Sequence, residues 1–205
     1  MGTATRDPRA DFRLIYCSTI KRPGADKLLA WLEDNGFFEA PASAGHHGNR
    51  PGGLAVHSIN VWRRLREITV RDMMGGGHGD LEPEEEETVA VMGLLHDVCK
   101  LDVYHRETKR RRNKETGKWE DYQGYSYRDP FPLGHGEKSV YLIMRHMALT
   151  EEEALAIRWH MGAYDYAAKG GDKALDAAMD VTPWVWRLHE ADMCASRIDE
   201  RGAAE

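Results

Sequence analysis

Residues 88–101 constrain this chain more than any other stretch, because they are apolar on nearly every side. Val89, Val91, Met92, Leu94, Leu95, Val98 and Leu101 leave no polar stripe, which is the pattern of a helix enclosed by other helices. Into the end of this run the chain sets His96, Asp97 and Lys100. A buried, unpaired carboxylate costs several kcal/mol or changes its protonation, so the His96-Asp97 pair calls for a compensating charge, and a metal ion meets that need.

The rest of the chain reads as helices packed around that segment. At 205 residues and 41% hydrophobic, it can bury a substantial core in one domain. Residues 1–22 read as a polar N-terminal extension with a short β-prone patch at 14–17, and 23–205 as a single domain. Pro23 opens a helix with Leu28, Leu29, Trp31 and Leu32 on one stripe, stopped by Asn35-Gly36. A loop over 41–53 carries His46-His47 and has the small-residue character of a site rim. The helix expected over 53–70 repeats Leu54, His57, Val61, Leu65 and Ile68 at spacings of three and four, which places His57 on the buried face. A glycine-rich connector follows, with His78 exposed, and Pro83 with acidic residues 84–87 starts the central helix.

After Lys100 the character changes. Lys109, Arg110, Arg111, Arg112, Lys114 and Lys118 are interleaved with Trp119, Tyr122, Tyr125 and Tyr127 around a turn at Glu115-Thr116-Gly117. Residues 105–131 therefore read as an inserted β-hairpin, either simply exposed or serving as a substrate lid or nucleic-acid contact. His135 then falls at a helix N-terminus, a position that favours anions, with Lys138 nearby. Thr150 and Glu153 form a capping box for a helix ending near Gly162 that carries His160, and His146 reads as structural. Thr182-Pro183 caps a last helix on which Val185, Leu188, Asp192 and Ala195 share a face, turning Asp192 inward.

Charge and composition limit the alternatives. A net charge of -6 provides no global attraction to nucleic acid or an anionic membrane, so a polyanion needs a local site. No apolar run is long enough to span a membrane, and no secretory signal is visible at the start. Three scattered cysteines, Cys17, Cys99 and Cys194, fit reduced thiols, so the expected compartment is the cytoplasm.

Taken in order, His57, His96-Asp97, His135, His160 and Asp192 on five expected helices resemble the HD-domain superfamily of metal-dependent phosphohydrolases. Gly52-Gly53-Leu54-Ala55-Val56-His57-Ser58 resembles its first-histidine motif, His96-Asp97-Val98-Cys99-Lys100 its His-Asp-x-x-Lys form, and Ala191-Asp192-Met193-Cys194-Ala195-Ser196 its closing aspartate motif. The resemblance implies an all-α, compact HD-domain bundle of about seven helices, its site opening between the 45–53 loop and the hairpin around Trp119. It implies that His57, His96, Asp97 and Asp192 hold one metal, and that His135 and His160 hold a second, bridged through Asp97. Imidazole and carboxylate ligands suit Fe, Mn, Co, Ni or Zn. Two such ions could share a hydroxide nucleophile, while Lys100 stabilises phosphoryl charge and Lys138 contacts phosphate. His189 and Glu190 could stand behind the ligands, with Glu190 or a backbone carbonyl orienting a ligating histidine, and His105 carries no clear role. The implied reaction is hydrolysis of a phosphoester or phosphoanhydride in a nucleotide-type substrate. An alternative is a 3'-to-5' exonuclease acting on single-stranded RNA or DNA, and another is a catalytically silent nucleotide sensor. A homo-oligomer is compatible with all three.

Overall fold

In the computed structural model, which describes residues 7–45, 48–75 and 79–201, the apolar segment forms the central helix α4, Pro83–Leu95. Glu82 and Glu85 close a reciprocal capping box at its start, and residues 89–95 are all buried. The helix stops six residues earlier than its apolar pattern suggests. His96 caps it, Asp97 leaves helical geometry at φ -106°, and Val98–Lys100 makes one tight 3-10 turn. Unwinding has a purpose here. Adjacent residues on an α-helix point about 100° apart, whereas the turn lets His96 and Asp97 face one centre. Lys100 reaches Asp97 by folding back through this turn.

Eight further α-helices are present among the described residues: α1 (Pro8–Thr19), α2 (Ala25–Asp34), α3 (Gly53–Met73), α5 (His135–Met144), α6 (Glu151–Trp159), α7 (Tyr166–Lys169), α8 (Ala174–Val181) and α9 (Trp184–Cys194). Of these, α1, α3 and α6 pack on α4. The expected class, all-α with one hairpin, holds, with nine helices rather than about seven. Helix α3 lies directly on α4, with Leu54, His57, Val61, Leu65 and Ile68 buried as their spacing requires. Helix α9 packs against both α3 and α6, and α5 lies against α6 and the turn after α4. Together these packings bring the five chemically interesting segments to one place. No helix among the described residues is long and apolar enough to cross a membrane.

The N-terminal segment is helical where a polar extension with a β-prone patch is expected. Residues 14–17 lie inside α1, whose Asp7 side chain accepts a hydrogen bond from the Arg9 N–H. Phe12 and Tyr16 are fully buried, the Phe12 ring lying 5.0 Å from that of Phe37. A spacing of four on an otherwise polar segment turns both aromatics to the core, and that tertiary packing outweighs local β preference. Just beyond α1, the Arg22 guanidinium makes two bonds to the buried Glu153 carboxylate, at 2.6 and 2.8 Å, linking the N-terminal helices to α6.

The hairpin forms as expected, from β1 (Tyr104–Arg112) and antiparallel β2 (Trp119–Tyr127). Asn113 Oδ1 accepts from the Glu115 and Thr116 N–H groups, and Gly117 supplies the positive φ of 69° that the turn requires. Tyr104 pairs with Tyr127 at the root and Arg112 with Trp119 at the far end.

Candidate metal centre

Asp97 is the hub of the site. Its side chain is 1% exposed, and its two oxygens face different partners. Oδ2 looks towards His57 Nε2 at 3.4 Å and His96 Nε2 at 3.3 Å, with Asp192 Oδ1 3.2 Å beyond on His57 Nε2. Oδ1 looks towards His135 Nε2 at 2.9 Å and His160 Nε2 at 3.5 Å. All six residues singled out by their order in the chain meet here, from α3, the end of α4, the start of α5, the end of α6 and α9.

The donor chemistry fits metal ions. His96 Nδ1 lies 3.0 Å from the Gly93 carbonyl and His160 Nδ1 lies 2.7 Å from the Ile157 carbonyl. A carbonyl oxygen only accepts, so each ring carries its proton on Nδ1 and turns a bare Nε2 towards Asp97. Both Nε2 atoms are buried without a hydrogen-bond partner among the described residues. Leaving such atoms unsatisfied costs about 1–3 kcal/mol each, which a bound cation would remove. Two donor groups, His57 with His96 and Asp97, and Asp97 with His135 and His160, have their ligand atoms within 4.8 Å of one another.

Protonation follows from the same geometry. Burial opposes charge on His57, but the carboxylates of Asp192, Asp97 and Glu200 outweigh it and hold the imidazole well above its ordinary value. Burial likewise opposes charge on His135, yet Cys99 and Asp97 lift it to about 10. Desolvation wins at His160, whose pKa falls. Against burial, the Lys100 ammonium holds Asp97 well below the usual carboxylate range, and His57 does the same for Asp192.

Residues around the hub depart from expectation in instructive ways. Lys100 Nζ lies 2.5 Å from Asp97 Oδ2, so its charge is delivered to the hub itself. Lys138 is 3% exposed with Nζ 2.6 Å from Asp129 Oδ1, so a carboxylate already occupies the ammonium expected to contact phosphate. Glu190 orients no ligand, because it pairs with Arg71 at 3.0 Å on the surface. His57 Nδ1 is instead 3.1 Å from Glu200 Oε1. The one-turn π-helix Ala195–Asp199 after α9 brings Glu200 back, and no sequence periodicity announces it. His189 Nδ1 lies 2.7 Å from the His160 carbonyl and thereby holds the end of α6. Cys99 Sγ, 3.3 Å from His135 Nδ1, is likewise announced by no spacing in the chain. His105 sits on the hairpin against the Arg128 carbonyl, and His146 stacks on Trp31 at 5.1 Å, away from the hub. His46, His47 and His78 lie outside the described residues.

Two hollows open beside the hub. A cavity of about 510 Å³ includes His135, Lys100, Tyr104, Tyr127 and Tyr164 in its wall. A cleft of about 980 Å³ lies on the other side of Lys100, Tyr104 and Lys138, which both hollows share, and reaches Trp31, Arg106 and Tyr125. The hairpin meets the site through its root, and not through Trp119, which stands at the opposite end of the strands. From the 45–53 loop, Pro51 lines the cleft.

A helical bundle that converges four imidazoles and two carboxylates on one point has the donor groups to hold metal ions. The HD-domain family model matches residues 54–199, and the chain belongs to that family. Proteins of this family bind divalent metals and are typically phosphohydrolases. Comparison with curated proteins and with solved structures yields no match.

Proposed function

We propose that the protein is a metal-dependent phosphohydrolase that cleaves a phosphoester or phosphoanhydride bond of a nucleotide-type substrate. The observation that carries this reading is the divided Asp97 carboxylate, with one oxygen towards each imidazole set and Lys100 on its edge beside an open cavity. His57, His96, Asp97 and Asp192 would hold one ion, and Asp97, His135 and His160 a second; Fe, Mn, Co, Ni and Zn all suit these ligands. When bound, such ions polarise a phosphoryl oxygen and make water acidic enough to serve as a nucleophile near neutral pH.

The chain's own groups do the remaining work. Lys100 brings a fixed positive charge to the cavity wall, where charge develops on a phosphoryl group. Glu200 and the Gly93 and Ile157 carbonyls fix the orientation of three imidazoles. Tyr104, Tyr127 and Tyr164 offer ring faces and hydroxyls suited to a base and a sugar. Replacing Lys100 with Ala should lower kcat/KM by about 10²–10³-fold, the scale of one lost electrostatic donor, while metal content stays unchanged. Metal loss in parallel with activity would instead give Lys100 a role in building the site.

Metal loading should weaken on acidification, and the sign follows from the shifts above. His57 and His135 hold protons at neutral pH when no metal is bound, and a ligating imidazole must give its proton up. Asp97 and Asp192, held low, stay ionised and add no proton competition. Dialysis at about pH 5 should therefore strip metal that is retained at about pH 8. Full retention at the lower pH would show that the histidines are not the principal ligands.

The direct test is product analysis by chromatography. Metal-loaded protein is incubated with mononucleotides, triphosphates, cyclic nucleotides, dinucleoside polyphosphates and a short RNA. Release of phosphate or shortened product by the wild type supports the proposal, and no turnover of any substrate rejects it.

A further inference from the structure

The register of the hairpin sorts its side chains onto two faces, because residues directly opposite in an antiparallel pair lie on the same side. One face carries Arg112 with Trp119, Arg110 with Asp121, Thr108 with Gln123, Arg106 with Tyr125, and Tyr104 with Tyr127. The Tyr104 and Tyr127 rings stand 5.9 Å apart at the root, and the Arg110 guanidinium lies 5.9 Å from the Trp119 ring near the far end. Arg106, Arg110, Arg112, Trp119, Gln123 and Tyr127 are all exposed on this face.

Three features separate this face from an ordinary solvated strand pair. Cations or aromatic rings stand in every facing pair but Thr108 with Gln123, over a length of roughly 27 Å at about 3.3 Å per residue. The segment is locally basic, with seven Lys or Arg against four Asp or Glu over residues 104–127 on a chain of net charge -6. Its root is also the wall of the metal centre's hollows, since Tyr104 and Tyr127 line the cavity with His135 and Lys100, while Arg106 and Tyr125 line the adjoining cleft. Asp121 is the one acid among the strand residues of this face, and its contact with Arg110 at 3.3 Å is between two well-exposed side chains, a weak pairing that a phosphate can displace.

We infer that this face of the hairpin binds a single strand of nucleic acid and leads its end to the cavity beside Lys100 and His135. Arginines meet the phosphates, and Trp119, Tyr125 and Tyr127 offer surfaces on which bases stack, a combination that tolerates any sequence and needs unpaired bases. The inference rests on the phosphohydrolase reading and narrows its substrate to a polynucleotide, with the phosphodiester at the strand's end as the bond presented.

Fluorescence anisotropy tests it, using the metal-loaded full chain and phosphorothioate 15-mers of oligo-dT and oligo-U that resist cleavage, beside a duplex of the same length. Expected is binding of the single strands, DNA and RNA arms showing which sugar is preferred, with clearly weaker binding of duplex. Trp119→Ala should weaken it about tenfold, the scale of one lost stacking platform. Arg110→Ala/Arg112→Ala should weaken it further and reduce the slope of log affinity against log salt by about 1 to 1.5. The charge-matched pair Lys109→Ala/Arg111→Ala, on the opposite face, should change affinity less than twofold. Equal losses from the two faces, equal binding of duplex, or no strand binding at all would each overturn the inference. Turnover of small nucleotides by the wild type is scored in parallel. Turnover without strand binding sinks the hairpin surface alone, and strand binding without turnover of any substrate sinks the hydrolase reading while retaining the surface.

Discussion

Asp97→Ala should strip the protein of the two metal equivalents proposed above and lower kcat/KM by on the order of 10³-fold or more, the scale at which a cooperative catalytic unit fails when one member is removed. The size of the effect comes from position. One carboxylate supplies an oxygen to each donor set, so its loss removes the carboxylate that His96, His135 and His160 all face and leaves His57 only Asp192 and Glu200. Asp192→Ala makes the comparison sharper. Asp192 touches the centre at His57, so its loss should cost one metal equivalent and leave the His135–His160 set able to load. His105→Ala, on the hairpin with its ring against a backbone carbonyl, should change neither metal content nor turnover. Elemental analysis with steady-state kinetics reads all three variants. Equal metal loss from Asp97→Ala and His105→Ala would sink the assignment of the hub, and equal loss from Asp97→Ala and Asp192→Ala would reduce the two sets to one.

The largest expected effect on stability lies at Gly93, where α4 crosses α3. A Cβ at this position would meet the Trp62 Cα at 2.5 Å and the Trp62 backbone nitrogen at 2.9 Å. On an isolated helix Gly93→Ala would be favourable by about 1 kcal/mol. Here the obstacle is backbone, which cannot rotate aside, so the helices must separate and the net change should be a loss of about 3 kcal/mol. For a chain of this size that is a fall in Tm of about 6–12 °C. Metal affinity should fall with it, because α3 carries His57, α4 ends at His96, and the Gly93 carbonyl itself orients the His96 ring. Urea unfolding of metal-free protein together with metal titration separates the two losses. A variant more stable than wild type would mean that α3 and α4 do not approach this closely in solution.

Much of the centre is legible in the sequence because several of its side chains sit in distinctive local patterns. His57 falls in register with Leu54, Val61, Leu65 and Ile68, and Asp192 in register with Val185, Leu188 and Ala195, so helical periodicity alone turns both inward, and both are in fact inward. The capping box at Thr150 positions the helix that ends at His160, and its two reciprocal bonds are present. Where local signals conflict with packing, they fail. The apolar run 88–101 reads as one helix because periodicity cannot register a turn that changes the direction of side chains without exposing them. The polar character of residues 8–19 conceals two aromatics that the core takes up.

What the amino-acid order determined by itself is therefore the class of fold and the hairpin, which follow from spacing, capping and turn chemistry within short windows, while the resemblance of its ordered motifs to the HD superfamily implied the six side chains that converge. Only the tertiary structure decided how Asp97 divides its oxygens between two imidazole sets, and that Lys138 is bound to Asp129 while Glu200, rather than Glu190, holds His57. It alone joined the basic, aromatic face of the hairpin to the cavity beside His135. The physical reason is one of range. Helix and turn propensities act over a few residues, whereas the pairing of a buried polar atom is settled by whichever partner the packed helices bring within about 3 Å, however far away it lies in the chain.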